Sequence, residues 1–135
     1  MIRSSGWIFV LLGIGHTLLS LALAAPSHAA AWFRGDLWRP AEGIAAMSAT
    51  MGGYWFSVGG FGLPILAFGL TVLWMHRRGI VPPALPGWML LAWALVNTVI
   101  LLPSPWVLGA VGAVLYLVGV RRANRAPEPV AAQAV

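Results

Sequence analysis

No acidic residue lies inside any of the long apolar runs of this chain, and its eight basic residues, all arginine, gather at the ends of those runs. A sequence of 135 residues that is 60% hydrophobic and 8% charged has too few formal charges to cover a water-facing surface, so the solvent in which it folds is a bilayer. The net charge of +5 does not mark a nucleic-acid binder, because no basic face interleaved with aromatics accompanies it. Cysteine is absent, which removes disulfides, thiolate nucleophiles and Cys-ligated metals or clusters.

Four spans are expected, about 7–25, 53–75, 88–102 and 106–120, in a single all-α domain over 1–122 followed by a disordered Pro- and Ala-rich tail, 123–135. The first, from Trp7 to Ala25, is roughly 28 Å long at about 1.5 Å per residue, close to a hydrocarbon core of about 30 Å. Between the third and fourth stands Pro103-Ser104-Pro105. Two readings compete there, one long kinked helix or two antiparallel helices. The prolines remove backbone donors and push each preceding residue out of the helical region, which favours the hairpin.

Charge placement tests the count. Four spans put Arg3, Arg77, Arg78, Arg121, Arg122 and Arg125 on one side, and Arg34 and Arg39, beside Asp36 and Glu42, on the other. The positive-inside rule then places both termini of a multi-pass membrane protein in the cytoplasm. Trp7, Trp74 and Trp88 fall at the inner boundary and Trp32, Trp38, Trp55 and Trp106 at or near the outer one, as an aromatic belt requires; only Trp93 lies deep. A rival reading takes Arg3, the apolar run and ALAAPSHAAA as a cleavable secretory signal. The run is longer than a usual signal core and carries His16 at its centre, which argues for retention.

The outer loop, 26–50, alternates aromatics with charges of both signs and offers Pro40 at a first helical turn with Glu42 close behind. As an interfacial segment it inserts Trp32, Phe33, Leu37 and Trp38 into the outer leaflet, and Asp36 pairs with Arg34 or Arg39. As a lid it would place His28, Asp36 and Glu42 at the mouth of a cavity.

Deep polar residues are few. His16 lies about nine residues into the first span, or roughly 13 Å, which is the midplane. Asn97 and Thr98 reach a similar depth on the third span and Pro64 on the second, so one polar layer across three helices is expected, with Thr17 beside it. Structurally the layer fixes helix register, at about 0.6–2 kcal/mol per bond. Functionally, His16, Thr17, Asn97 and Thr98 are candidate contacts for a small lipophilic ligand.

Elimination goes further than assignment. A carboxylate-based antiporter lacks its exchanging group, no pair of carboxylates stands within the spans, and the three histidines sit at different depths, so paired haem ligation is not expected, nor a metal site or cofactor. His76 beside Arg77 and Arg78 reads as part of a charge girdle at the inner leaflet. Gly52, Gly53, Gly59, Gly60, Gly62 and Gly69 thin the second span, and Gly109 with Ala113 makes a small-xxx-small step on the fourth. These suit close helix contacts, within one chain or between copies.

LLGIGHT, APSHAAAWFRGDLW, MGGYWFSVGGFGLP, HRRGIVPPALPGW and LLPSPW together resemble a family of small four-helix inner-membrane proteins of unknown function, common in actinobacteria, over roughly residues 5 to 122. The resemblance implies the membrane architecture and no activity, substrate or cofactor. Two functions remain open: a non-catalytic membrane module that joins a membrane protein partner or its own copies, and a carrier or enzyme for a lipophilic small molecule.

Overall fold

The computed structural model describes residues 1–38, 47–101 and 105–125. Among these there are five α-helices and no strand: α1 (Ile2–Phe33), α2 (Ala49–Phe56), α3 (Gly62–Arg77), α4 (Ala84–Ile100) and α5 (Trp106–Ala123), with a 3-10 turn at Asp36–Trp38. The all-α expectation is met. Two helices, α1 and α5, are long and apolar enough to cross a membrane; α4 is apolar but shorter.

Helix α1 runs through Pro26 to Phe33, past the boundary expected at residue 25. A proline inside a helix forfeits its own donor, but here it is followed by Ala29-Ala30-Ala31, strong helix formers that carry the helix onward. Termination waits for Gly35, at φ 86°, whose N–H bonds Trp32 O at 3.1 Å. The first eight residues of the expected outer loop therefore belong to a helix.

The stretch 53–75, expected as one span, is two helices. Ser57 ends α2: its N–H bonds Gly53 O at 3.2 Å, and its hydroxyl bonds the same carbonyl at 2.7 Å. Gly59 and Gly60 follow, weak helix formers, and Pro64 falls in the first turn of α3, where a missing donor costs little. Pro64 thus starts a helix and does not kink one. At its other end α3 closes with Gly79 at φ 69°, Gly79 N–H to His76 O at 3.2 Å and Ile80 N–H to Met75 O at 2.9 Å, the paired bonds of a Schellman cap.

By its contacts the chain forms two compact units, Met1–Ile8 with Gly69–Val135, and Phe9–Phe68. In the first, α4 and α5 pack on each other, which is the hairpin reading of 88–120; residues 102–104, with Pro103 and Ser104, lie outside the described residues. Trp93 and Trp106 meet edge to face at 4.6 Å between centroids, and Tyr116, 1% exposed, donates its hydroxyl to Pro83 O at 2.7 Å. Pro86 sits in the first turn of α4, so that helix begins four residues before the expected Trp88.

In the second unit the backbone of α1 touches that of α3. A Cβ on Gly13 would stand 2.5 Å from Leu66 N and 2.6 Å from Gly62 O, so neither flank has room for a side chain. Phe9 and Phe68 close the same face, edge to face at 5.3 Å. Gly15, two residues along α1, has nothing within 4 Å of where a Cβ would stand and faces open space.

Three outcomes follow from these contacts. Gly13→Leu lowers the stability of the purified protein by about 1–3 kcal/mol or more through overpacking, while Gly15→Ala is neutral or stabilises by up to about 1 kcal/mol through helix propensity. Tyr116→Phe costs about 1 kcal/mol. Thermal or denaturant unfolding of the three variants beside the wild type checks each.

Candidate functional site

The Gly13 contact fixes where the next turn of α1 points. One turn along, His16 and Thr17 lie against the bend that joins α2 to α3. A Cβ on Gly62 would meet Thr17 Oγ1 and lie 2.9 Å from His16 Cδ2, and a Cβ on Gly60 would lie 3.5 Å from His16 Nε2. The two glycines are what let a ring and a hydroxyl seat there.

Aromatic rings form the walls. The imidazole is tilted 32° to the Phe61 ring with centroids 3.9 Å apart, and Phe56 meets it edge-on at 6.1 Å. Ser20, 2% exposed, donates to His16 O and so is spent on the helix. His16 Nε2 and Thr17 Oγ1 are both buried without a hydrogen-bond partner. Burying an unpaired polar atom costs about 1–3 kcal/mol, so this pair is the least satisfied polar chemistry among the described residues. An imidazole nitrogen and a hydroxyl side by side can donate to or accept from a carbonyl, hydroxyl or water.

Asn97 and Thr98 belong to the other unit, and each gives a donor to a carbonyl inside α4. Asn97 Nδ2 donates to Trp93 O and Thr98 Oγ1 to Ala94 O, both at 2.8 Å. In a helix surrounded by apolar side chains the carbonyl four residues back is the nearest acceptor, and each takes it. On α4 the polar side chains of the expected layer thus make local bonds.

Of the outer-loop candidates the structure describes His28 and Asp36, each with contacts of its own. His28 stacks on Trp32 at 6.3 Å and lies against Gly53, whose Cβ would stand 2.7 Å from its Cδ2. Trp32 donates from Nε1 to Thr50 O at 2.9 Å and meets Tyr54 edge-on, so it is part of the joint between α1 and α2 and is not inserted outward. Phe33 and Trp38, 92% and 89% exposed, do project. Asp36 pairs with Arg34 at 3.7 Å, one of the two partners expected for it. Pro40 and Glu42 lie outside the described residues, as does Arg39.

Phe56 and Phe61 are site residues that sequence reasoning missed. The signal was present in GGFGLP, where one aromatic stands between glycines, but read as part of a continuous helix it gave no reason to aim Phe61 at His16. No protein-family model, curated protein or solved structure matches the chain.

Thr17→Val, which keeps the shape and removes an unpaired hydroxyl, leaves stability unchanged or raises it by up to about 1–2 kcal/mol in lipid-stripped protein. Gly62→Ala lowers it, because the methyl collides with Thr17 and His16. Parallel unfolding curves decide both; a large loss in Thr17→Val would mean that the hydroxyl has a partner.

Proposed function

We propose that the chain is a four-pass protein of the bacterial cytoplasmic membrane with both termini in the cytoplasm, and that it works as a non-catalytic module joined to a membrane protein partner or to its own copies. The observation that carries this reading is the apolar exposure of its helices: Leu11, Leu18, Leu19 and Leu23 on α1, Met89, Val96 and Val99 on α4, and Leu108, Val111 and Val114 on α5 are all exposed. Only lipid, or a partner as apolar as lipid, makes such a surface stable. Helices α3 and α4, of 16 and 17 residues, are short for spans, and tilting neighbours and local thinning of the bilayer supply the difference. Membership of the small four-helix family that its motifs resemble fits the same architecture. Gly15, with open space beside it among exposed leucines, is a natural point of close approach for another helix.

A second reading rests on the buried, unpartnered His16 Nε2 and Thr17 Oγ1: a small lipophilic molecule with a hydrogen-bonding group is held against Phe56 and Phe61. Native mass spectra of wild type beside His16→Ala separate the two. The module reading expects the same species in both spectra; a defined adduct present in wild type and lost in the variant contradicts it and gives the class of the ligand.

Topology has its own test, simplified by the absence of native cysteine. Single cysteines at Ser4, Gly79 or Ala123 resist a membrane-impermeant maleimide in intact cells and react after lysis, while one at Ser48 reacts in both. Labelling of Ala123 but not Ser4 in intact cells would mean an odd number of spans.

A further inference from the structure

Six of the eight arginines, Arg3, Arg77, Arg78, Arg121, Arg122 and Arg125, lie in the unit formed by Met1–Ile8 and Gly69–Val135. Among the described residues the carboxylate side chain is that of Asp36, in the other unit, and it pairs with Arg34. The arginine-rich unit therefore has no described acidic side chain to balance it. Two of these arginines and a histidine share a cleft of about 360 Å³ lined by Arg3, Trp7, Leu73, His76 and Arg77.

The cleft exists because Gly6 lets the first turns of α1 approach α3. A Cβ there would lie 2.8 Å from Leu73 Cγ and 3.3 Å from Gly69 O. Leu73, 8% exposed, is the floor, and Trp7, 45% exposed, is an apolar wall. His76 and Arg77 stand in the last turn of α3, where a cation complements the helix end. Arg3 has no such excuse: it lies in the first turn of α1, which carries no acidic residue, at the end of the helix dipole that disfavours a cation. Arg3 thus stands beside two further basic side chains with no described carboxylate among the residues that line the cleft, and an anion complements that set.

We infer that this cleft binds the phosphate of an anionic phospholipid, with Arg3 and Arg77 as the charged contacts, His76 as a further donor and Trp7 against the start of the acyl chains. Phosphate is the anion that arginine forks match in geometry. A lipid source is favoured over a soluble one by the apolar floor and wall, and by the neighbouring Leu70 and Trp74, 52% and 53% exposed, which continue the apolar face away from the charges. Arg78, over the Trp74 ring at 5.7 Å, is held at the same boundary between charge and hydrocarbon. The inference rests on the membrane reading above.

The test uses the full chain and three forms: wild type, Arg3→Gln with Arg77→Gln, and Arg121→Gln with Arg122→Gln, which removes the same charge elsewhere in the unit. Each is reconstituted in phosphatidylcholine vesicles and washed with alkaline carbonate. Release of the wild type overturns the membrane reading and this one with it. Retained proteins are then taken into detergent and titrated with phosphatidylglycerol or phosphatidylcholine, with bound lipid counted by native mass spectrometry. The expected result is a preference of about tenfold for the anionic lipid in wild type and in the Arg121/Arg122 form, lost in the Arg3/Arg77 form. An equal loss in both variants, or no preference in wild type, overturns the cleft while leaving the membrane reading standing. Inorganic phosphate added at millimolar concentration leaves the lipid bound; displacement of the lipid by it assigns the cleft to a soluble phosphate and overturns the lipid source.

Discussion

The approach of α1 to α3 at Gly13 is the contact on which the unit around His16 depends. With the backbone of Leu66 and the carbonyl of Gly62 both within 2.6 Å of where a Cβ would be, the crossing point admits glycine alone. In lipid, where burying apolar surface between helices gains little, such contacts are what hold a bundle together, through van der Waals packing over a small area. The register they impose reaches the next turn, where Thr17 and His16 come down on Gly62 and Gly60. Chemistry at that point is a by-product of packing: two polar atoms are buried because the helices have to meet there.

Much of the fold is legible in the sequence because proline and glycine write their effects locally. Pro105 stands at the N-cap of α5, and Gly35 and Gly79 end α1 and α3 with the positive φ that other residues avoid. Hydropathy failed where two signals conflicted. Pro26 reads as a stop, yet the alanines after it keep α1 helical; the run 53–75 reads as continuous, yet Ser57 turns its hydroxyl back on the Gly53 carbonyl and the glycine pair bends the chain. Apolar content measures neither effect.

The candidate site was legible in part for a related reason. His16 and Thr17 stand out as polar groups in hydrocarbon, and their setting keeps them so. Asn97 and Thr98 stand out equally in the sequence, but a carbonyl four residues back takes one donor of each, and such a bond leaves no mark in composition or spacing. The Arg34–Asp36 pair was legible from proximity alone. Gathering Arg3 with His76 and Arg77 was not, since it depends on the fit of Gly6 against Leu73.

The membrane bundle itself is tested most directly by amide hydrogen exchange on the protein in lipid nanodiscs. A four-span bundle requires α3 and α4, the helices short for a span, to exchange as slowly as the apolar centre of α1, and far more slowly than the turns near Gly35 and Gly79. Exchange in α3 and α4 as rapid as in those turns would contradict it and leave α1 and α5 as the spans.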